Sequence, residues 1–518
     1  MPAPKDNLSR EAIALREIGV TAITRAQALV LVWGFVLLLA TVPVLQVAYE
    51  LGWLRRVPQG LDIFRQPPTL RVITEFEDAL DEQALAGRVI LPRMQNLLLS
   101  AGVGNAKAYP GRHGSLFFTP DVEHVTAPSF MDPRWQRQRR LGGNSWEAPP
   151  QPDPLPAILH FHAQLRARGI ELVLVPTPNK AQVHPYLFSP RYHSDDPPIN
   201  NPGYAAFVQQ LRAQGVHVVD PLGLVTPAPR EAAGLDFLRT DTHWQPAYME
   251  RTATELARYL TAHLGVPTEA PAGYTRTRQT VRQHGDVVTM LKLPAKQSHY
   301  PPEEVEIHPV QQADGAAWQP DAQAIVLLLG DSYTNIYAQP ELGWGSGAGL
   351  AEQLSYHLQQ PVDRLARNDG GSYATRAALR QQLARGEDRL ASKRVVIWQF
   401  ATRELSFGDW RLLDLPAAAD VPTPVPAATG SVRIRALLTA RTLPPQPGSV
   451  PYRDCLIALH LTQIQPLTPA PTAPGQPADT PTPGWPVEQT EVLVYVWGMR
   501  DNQWTAATRW PVGRVMEL

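Results

Sequence analysis

The stretch AIVLLLGDSY, residues 324–333, gives the clearest indication of how this chain folds. An unbroken apolar run of this kind is typical of a strand that is buried on both faces of a parallel sheet. Gly330, Asp331 and Ser332 follow at the point where such a strand would turn into a helix or a loop. We therefore expect the hydroxyl group of Ser332 to stand at the edge of a sheet.

Similar apolar strands alternate with helical segments along the middle of the chain. The predicted strands lie at 170–176, 216–220, 324–329, 362–366 and 394–399, and the predicted helices at 157–168, 205–214, 244–264, 350–359 and 373–385. This alternation predicts a doubly wound α/β fold, a parallel sheet with helices on both faces. Sites in such sheets gather at the carboxyl ends of the strands. Ser332, PTPNK at 176–180 and RNDGGS at 367–372 all follow such ends.

A second short motif, RTDTHW at residues 239–244, places Asp241 two positions before His243. An Asp-X-His pair can supply the oriented base that a serine hydroxyl needs to become a nucleophile. We interpret Ser332 as that nucleophile, His243 as the base and Asp241 as the group that orients the imidazole. Both motifs also have an ordinary structural interpretation, because Asp and Ser form turns and either Asp241 or Thr242 could cap the next helix.

The oxyanion that forms during acyl transfer needs N–H donors close to the nucleophile. The candidate backbone donors are the amide of Ser332 and the amides of Gly370 and Gly371. Asn368 or Arg367 could add a side-chain donor. The glycine pair could equally be part of an ordinary loop, so its role stays open at this point.

Metal and cofactor patterns are weak in this sequence. Asp241 and His243 could ligate a metal ion, but no third clustered ligand is evident, and His113 and His124 make no metal pattern. The sequence has no H-E-x-x-H motif, no cysteine cluster and no phosphate-binding glycine loop after a strand. The glycine-rich run GWGSGAG at 343–349 follows a loop, and we interpret it as a flexible connection. We expect no metal ion and no cofactor.

Composition limits the class of protein. A chain of 518 residues predicts two or three domains with linkers. The net charge of −1 gives no general attraction to nucleic acid or to anionic lipid. The 53 prolines are roughly twice the usual share of about 5%. Cys455 is the one cysteine, so an intrachain disulfide is excluded.

Residues 28–49, ALVLVWGFVLLLATVPVLQVAY, carry no charge. As a helix they would span about 33 Å, enough for a hydrocarbon core of about 30 Å. We favour a single-pass membrane anchor over a buried core helix, because soluble helices rarely run this long without a charge. A cleavable signal peptide is also disfavoured, since the apolar run is long and no clean small-X-small cleavage site follows. Basic residues flank the segment on both sides, so charge alone orients it weakly.

The predicted organisation follows from these segments and from the proline content. We assign 1–27 to a tail, 28–49 to the anchor, 50–150 to a linking region, 151–412 to the α/β catalytic domain, 413–429 to a Pro-rich linker, and 430–518 to a small β module, a barrel or a sandwich, with a disordered Pro-rich insert at 465–486. Within the linking region we expect an amphipathic helix near 75–85, a short strand at 116–119 inside the motif GRHGSLFFTPDVEHVT at 111–126, and a surface loop at 131–152.

These motifs resemble the exported alginate O-acetylation proteins of the AlgJ/AlgX type, within the SGNH-hydrolase-like group. The matching parts are DTHW at 241–244, GDSY at 330–333, Val175 and Pro176 with Lys180, and the motif at 111–126, in which Ser115 stands where the family has Trp. The Asp and His precede the Ser here, unlike in ordinary SGNH esterases. The resemblance covers residues 100–410.

The resemblance implies transfer of an acetyl group to hydroxyls of an exported polysaccharide. Ser332 would carry the acetyl ester, His243 would then deprotonate the sugar hydroxyl, and Asp241 would orient His243. Lys180, Trp244 and Tyr333 become further candidates for contact with the substrate or the oxyanion. The family also implies a multi-pass membrane acyltransferase as the acetyl donor. It favours a cytoplasmic N-terminus, an anchor in the inner membrane and a periplasmic catalytic domain.

Two alternatives remain at this stage. An acetyl esterase of the same fold would use the same three residues, with water in place of the sugar hydroxyl. A non-catalytic protein that binds or assembles polysaccharide would use both motifs as structure, although retention of all three residues argues against it. Trp135, Trp344 and Trp398 could stack on sugars, but such side chains more often pack in a core.

Overall fold

The computed structural model describes residues 24–52, 55, 84–141, 149–225, 234–267, 272–368, 370–416, 434–442, 455–466, 491–500 and 503–517. The chain divides into two compact units, Met1–Pro110 with Val287–Tyr300, and Gly111–Asp286 with Pro301–Leu518. Several predicted segments lie outside the described residues: the tail at 1–23, most of the helix near 75–85, the linker from 417 onward and the Pro-rich insert from 467 onward.

The strands, in chain order, are β1 Ala108–Pro110, β2 Leu116–Phe118, β3 Glu171–Thr177, β4 His217–Val218, β5 Thr275–Arg276, β6 Gln279–Gln283, β7 Glu303–Ile307, β8 Val310–Gln311, β9 Val326–Gly330, β10 Asp363–Ala366, β11 Val395–Ala401, β12 Ile434–Arg441, β13 Cys455–Pro466, β14 Glu491–Arg500, β15 Gln503–Trp504 and β16 Val515–Glu517. The α-helices are α1 Arg25–Gly52, α2 Leu91–Ser100, α3 Thr119–Thr126, α4 Pro133–Leu141, α5 Pro154–Arg166, α6 Lys180–Val183, α7 Tyr204–Ala213, α8 Pro246–Leu264, α9 Asp286–Met290, α10 Ser332–Asn335, α11 Leu350–Leu358, α12 Gly371–Ala384 and α13 Glu404–Phe407.

Helix α1 dominates the first unit. Among the described residues it is the one helix long and apolar enough to cross a membrane, with a mean hydropathy of 2.6 in its most apolar window. None of that window is buried by the protein, so the alternative of a buried core helix is not what the structure shows. A signal sequence near the N-terminus would meet the same criteria. In the same unit the π-helical turn Ala86–Ile90 leads directly into α2.

A five-stranded sheet in the order β10-β9-β11-β3-β4 forms the centre of the second unit. All four strand pairs in it are parallel, with Gly330 of β9 opposite Ala366 of β10. Side chains alternate between two cores, because successive residues of a strand point to opposite faces. Leu328 belongs to one core and Leu329 to the other, and both are fully buried.

Helices cover both faces of this sheet, which confirms the doubly wound α/β fold. Buried residues of α8 and α11 belong to one core, and those of α5, α7 and α12 belong to the other. Helix α8 begins with Pro246, whose missing N–H costs nothing in a first turn. It ends at Gly265 with φ of 60°. That left-handed conformation suits glycine and terminates the helix.

Two short helices depart from the prediction. Residues 131–152 were expected to form a surface loop, but Pro133–Leu141 is the helix α4. Its start is favoured by Pro133 in the first turn and by Asp132, whose carboxylate accepts a hydrogen bond from the amide of Arg134 at 2.7 Å. The motif at 111–126 contains the expected strand, β2, and continues into α3.

The C-terminal module is an antiparallel sheet in the order β15-β14-β13-β12-β16. The expected antiparallel β structure is therefore confirmed, and the described strands form a single sheet with β15 and β16 at its edges. One face carries a separate core that includes Ile434, Leu438 and Leu459. The opposite face exposes side chains such as Tyr495.

Candidate active site

The fold brings the two sequence motifs together. Ser332 is the first residue of α10, directly beyond β9, and its Oγ lies 2.9 Å from Nε2 of His243. Nδ1 of His243 lies 2.6 Å from Oδ1 of Asp241. Because a carboxylate can only accept, Nδ1 carries the proton and Nε2 is free to accept one from the hydroxyl group. Ser332 is partly exposed, whereas its neighbours Asp331 and Tyr333 are buried.

The carboxylate of Asp241 accepts four hydrogen bonds. Oδ1 also accepts from the amide of His243 at 3.0 Å, and Oδ2 accepts from Nε1 of Trp344 and from the amide of Asp286, both at 2.9 Å. Burial by itself raises the pKa of Asp241, but the charge of His243 and these hydrogen bonds outweigh burial and lower the pKa to about 2. Asp241 is therefore held as an anion in one orientation.

The glycine-rich run at 343–349 is not the flexible connection that the sequence predicts. Trp344 is fully buried and fixes Asp241 through its indole N–H. Three glycines with positive φ shape the turn around it, Gly343 at 82°, Gly345 at 91° and Gly347 at 69°. The sequence feature that could have indicated this packed turn is a large aromatic residue among glycines. Trp398 also packs in the core, so neither Trp344 nor Trp398 can stack on a sugar. Trp135 is partly buried.

Asp286 is a second carboxylate beside His243 that no sequence motif marks. Its Oδ1 accepts from the amide of Thr242 at 2.8 Å, and its Oδ2 accepts from the hydroxyl of Thr242 at 2.6 Å. Oδ2 lies 4.0 Å from Nδ1 of His243. Burial and the charge of Asp241 raise the pKa of Asp286 to about 6. Asp286 thus holds Asp241 through its amide and Thr242 through its carboxylate.

Asp241, His243 and Asp286 also form a group whose ligand atoms lie within 4.8 Å of one another. Asp286 is thus the third clustered potential ligand that the sequence did not reveal. The donors around the group do not suit a cation, because Oδ2 of Asp241 already faces two N–H groups and Nδ1 of His243 faces Oδ1. Hydrogen bonds account for these atoms without a metal ion.

The protonation of His243 reflects opposing effects. Burial lowers its pKa, whereas the charge and hydrogen bond of Asp241, followed by the charge of Asp286, raise it. The net result is a pKa above the usual value of His. An imidazole with a raised pKa is a stronger base in its neutral form and holds a proton more firmly once it has received one.

Two tyrosines and a tryptophan connect the motifs on either side of His243. The hydroxyl of Tyr333 donates to the carbonyl of Thr242 at 2.9 Å, and that of Tyr337 donates to the carbonyl of Trp244 at 2.6 Å. The indole of Trp244 donates in return to the carbonyl of Tyr333 at 3.2 Å. Trp244 and Tyr333 are fully buried. The structure therefore places these two predicted substrate residues between the motifs, where they position His243.

Lys180 also lies behind the site. Its side chain is buried, and Nζ donates to the carbonyls of Leu116 at 2.6 Å and Arg239 at 3.0 Å. It thereby joins β2 to the segment that leads into Asp241. Burial lowers the pKa of Lys180 to about 8. Ser115, where the family has Trp, is fully buried next to this contact.

The amide of Ser332 is well placed to act on a developing negative charge. The amides around it are engaged: Asp331 donates to Gln399, Tyr333 to the side chain of Asp331, and Thr334 to the carbonyl of Asp331. Within the described residues, the Ser332 amide is the one in this turn that makes no hydrogen bond to protein.

The other oxyanion candidates occupy the neighbouring strand end and helix start. The amide of Arg367 donates to the carbonyl of Gly330 at 2.9 Å, which places Arg367 beside the end of β9. Asn368 accepts from Nδ2 of Asn335, one turn after Ser332, at 2.8 Å. The side chain of Asn368 thus already has a donor aimed at its oxygen.

Gly370 and Gly371 begin α12, both with positive φ, 80° and 50°. The next amide, that of Ser372, donates to the carboxylate of Glu404 at 3.1 Å. A side chain at Gly371 would overlap this carboxylate, so glycine is needed there. The first turn of α12 therefore faces a partly buried carboxyl group, and the structure does not bring the glycine pair into contact with the hydroxyl of Ser332.

Arg403 is a charged residue at this sheet edge that the sequence analysis missed. It follows β11, its guanidinium lies 5.8 Å from the centre of the Tyr333 ring, and it donates to Asp121 of α3 at 3.1 Å. Burial raises the pKa of Asp121. The available signal was position, because Arg403 follows a predicted strand just as Ser332 does.

This parallel sheet, with a serine beyond β9 and an Asp-X-His loop against it, defines an SGNH-hydrolase-like protein. The family model described as "SGNH hydrolase-like domain, acetyltransferase AlgX" matches residues 137–402, about half of the chain. The chain therefore belongs to this family, and the resemblance seen in the sequence is confirmed.

Curated relatives support the same family. The "Probable alginate O-acetylase AlgJ" of Pseudomonas syringae pv. tomato is 29% identical over 266 residues, which are 49% of this chain and 62% of that protein. The protein of the same description in Pseudomonas aeruginosa is 29% identical over 210 residues, 38% of this chain and 51% of that protein. The match thus spans about half to three fifths of the length of these relatives.

The solved structures that match this chain have lower sequence identity to it than these curated relatives. The O-acetyltransferase domain of Pseudomonas putida AlgJ has a TM-score of 0.43 and 22% identity, and the match covers 59% of this chain and 94% of that one. Pseudomonas aeruginosa AlgX has a TM-score of 0.42 and 17% identity, with 68% of this chain and 77% of that one covered.

Proposed function

We propose that this chain is a polysaccharide O-acetyltransferase that works through an acetyl ester on Ser332. The observation that carries the proposal is the continuous line of contacts from Asp241 to His243 at 2.6 Å and from His243 to Ser332 at 2.9 Å. A partly exposed hydroxyl next to a neutral imidazole, itself held by a buried anion, is what nucleophilic acyl transfer requires.

In the first half of the reaction, Oγ of Ser332 bonds to the acetyl carbonyl carbon while its proton passes to Nε2 of His243. When the tetrahedral intermediate collapses, the bond to the donor breaks and the departing oxygen takes that proton. In the second half, His243 accepts the proton of a sugar hydroxyl as this oxygen attacks the acetyl ester, and returns the proton to Oγ as Ser332 leaves. Asp241 stabilises the imidazolium in both halves.

The negative charge on the intermediate needs donors that are already in place. We assign the amide of Ser332 to this role, because its neighbours' amides are engaged elsewhere. Asn368 and Arg367 lie at the adjacent strand end and remain proposed side-chain donors. For Gly370 and Gly371 the role stays a prediction, since a carboxyl group faces the start of their helix.

We propose the acceptor of the acetyl group and the location of the protein on the basis of the family. Relatives named as probable alginate O-acetylases suggest an exported, alginate-like polysaccharide as acceptor. We further propose that α1 anchors the chain in the inner membrane, with the catalytic part periplasmic and a multi-pass membrane acyltransferase as donor. The apolar length of α1 supports this location.

The test is acyl-enzyme detection with the full chain in detergent. The protein is incubated with an activated acetyl ester, with and without an acceptor oligosaccharide, and peptide masses are measured. We expect an acetyl adduct on the peptide that contains Ser332 and its discharge onto the sugar. Ser100→Ala, at an exposed position, serves as the control variant.

The alternatives give different outcomes in the same experiment. Discharge to water alone, whatever the acceptor, would identify an acetyl esterase. An adduct on a residue other than Ser332 would refute the assignment of the nucleophile. Neither adduct nor turnover with any activated ester would favour a polysaccharide-binding protein.

A further inference from the structure

The helical segment 85–100 in the first unit has its apolar side turned outward. The π-helical turn Ala86–Ile90 and α2 expose a continuous row of apolar side chains, here called the outer apolar face: Val89 (40% exposed), Ile90 (58%), Leu91 (41%), Met94 (49%), Leu97 (65%) and Leu98 (38%). A surface helix of a soluble protein normally turns its apolar face toward the core. A face of this kind marks a binding surface.

The opposite side of the same helix, with Gln95 and Leu99, faces the protein. Gln95 is 5% exposed and donates to the carbonyl of Gly104 at 3.3 Å. The side chain of Asn96 lies 3.1 Å from Nε2 of His299, which belongs to the same compact unit. These contacts fix which side points outward, so the exposure of the outer apolar face is a consequence of how the helix is held.

A hydrogen bond joins the start of this segment to α1. The amide of Leu85 donates to Oε1 of Gln46 at 2.7 Å, and Nε2 of Gln46 donates to Glu50 at 2.8 Å. Glu50 is the first charged residue after the apolar run of α1. A helix that crosses a hydrocarbon core of about 30 Å needs about 20 residues, so one that enters near residue 28 leaves the core close to Gln46. The segment 85–100 therefore begins at the depth of the lipid headgroups.

The charges of the segment agree with this position. No acidic residue occurs between Glu82 and Asp121, whereas Arg88 and Arg93 lie on the exposed helix itself. Helices that lie in a membrane interface combine an apolar face with basic side chains that reach the headgroups.

We propose that residues 85–100 form an interfacial helix whose outer apolar face lies in the headgroup and acyl boundary of an anionic bilayer. The proposal rests on α1 spanning the membrane, and it adds a second point of membrane contact to the anchor. Two such contacts in one compact unit prevent that unit from rotating freely about α1.

The test places one label at a time on the full chain in vesicles of phosphatidylethanolamine and phosphatidylglycerol. In a Cys455→Ser background, Leu97→Cys and Met94→Cys each carry an environment-sensitive fluorophore. Gln210→Cys, at an exposed position of α7, is the matched control. We expect brominated lipid to quench the labels at 94 and 97, with a blue-shifted emission, and to leave the label at 210 unchanged.

The outcomes separate this proposal from the anchor. Alkaline carbonate extraction of the same vesicles shows whether α1 holds the chain in the bilayer. If the chain stays in the membrane but the label at 97 is quenched by iodide and not by brominated lipid, the interfacial helix is refuted while the anchor stands. Protection of positions 94 and 97 from both quenchers would also refute it, because a protein partner would then cover the face. Unchanged melting temperatures confirm that each cysteine variant folds.

Discussion

At the scale of single residues, the side chain of Ser332 makes few contacts that hold the fold. This residue is partly exposed, and among the described residues its hydroxyl bonds to His243 alone, whereas the buried side chains around it hold the fold. We expect Ser332→Ala to abolish the acetyl adduct and to lower kcat by at least about 10³-fold. The melting temperature should change little. Activity close to that of the parent protein would show that another group is the nucleophile.

Asp286 provides a residue-level test of the electrostatics. Its charge raises the pKa of His243, and the neutral imidazole is the active base, so activity should rise with pH through that pKa. Asp286→Asn removes the charge and lowers the pKa of His243. The acid limb of the pH–rate profile should therefore move to lower pH.

Thr242→Val is the control for that shift. It removes the hydroxyl that bonds to Asp286 and lies 3.1 Å from Nδ1 of His243, but it leaves the carboxylate in place. Its acid limb should stay where the parent protein has it, even if kcat falls. A limb that moves equally in both variants would mean that loop geometry, and not charge, sets the pKa of His243.

The sequence predicted those residues of the site that a short local motif marks. Asp241 and His243 stand two positions apart, and Ser332 follows an apolar strand, so pattern and chemistry coincide. Asp286 and Trp344 lie 45 and 103 positions from Asp241, and only the folded loops bring them to its carboxylate. Such residues carry no local pattern, and a single sequence contains no information on their proximity.

At the scale of elements, the contact between α10 and the loop of His243 decides the geometry. Tyr337→Phe removes the hydrogen bond to the carbonyl of Trp244, at 2.6 Å, without changing the ring. Tyr248→Phe removes an equally buried bond, to the carbonyl of Pro221 at 2.7 Å, in which no atom of the His243 loop takes part. Each should lower the free energy of unfolding by about 1–2 kcal/mol. Only Tyr337→Phe should also lower kcat, and equal kinetics in the two variants would contradict this role.

The turn at 343–349 can be tested in the same manner. Trp344→Phe removes the N–H that Oδ2 of Asp241 accepts, and we expect the pKa of Asp241 to rise and kcat to fall about tenfold. Trp398→Phe is the control, because its indole N–H has no partner among the described residues. Measured kcat/KM and Tm for both variants decide the point, and a similar kcat loss in Trp398→Phe would contradict it.

Strands and long helices were predictable from sequence, because a strand buried on both faces leaves a continuous apolar run and a helix buried on one face leaves a helical period. The five strands of the central sheet and the helices α8 and α11 agree with the predicted segments. Helix α4 was missed because PRWQRQRRL is polar on every side and buries no side chain fully. The turn around Trp344 was missed because glycine marks turns without revealing whether a turn is packed.

At the scale of the whole molecule, the central sheet and the C-terminal sheet have separate cores. The buried residues of the two parts fall in different clusters, and no strand is shared. One described contact between them is the guanidinium of Arg385, 5.7 Å from the centre of the Tyr495 ring. A cation–π contact at an exposed site contributes only about 0.5–1 kcal/mol. Although both sheets belong to the same compact unit, their separate cores lead us to expect that the two parts fold independently.

A chain that ends at Pro416 should therefore keep the α/β fold and the acetyl adduct on Ser332. Calorimetry of the full chain should show two transitions, and the shortened chain should retain one of them at nearly the same Tm. Because the truncation removes an entire core but no residue that contacts His243, ester hydrolysis should stay within about twofold of the parent value. A single cooperative transition in the full chain, together with an unfolded or inactive shortened chain, would show that the two sheets fold as one domain.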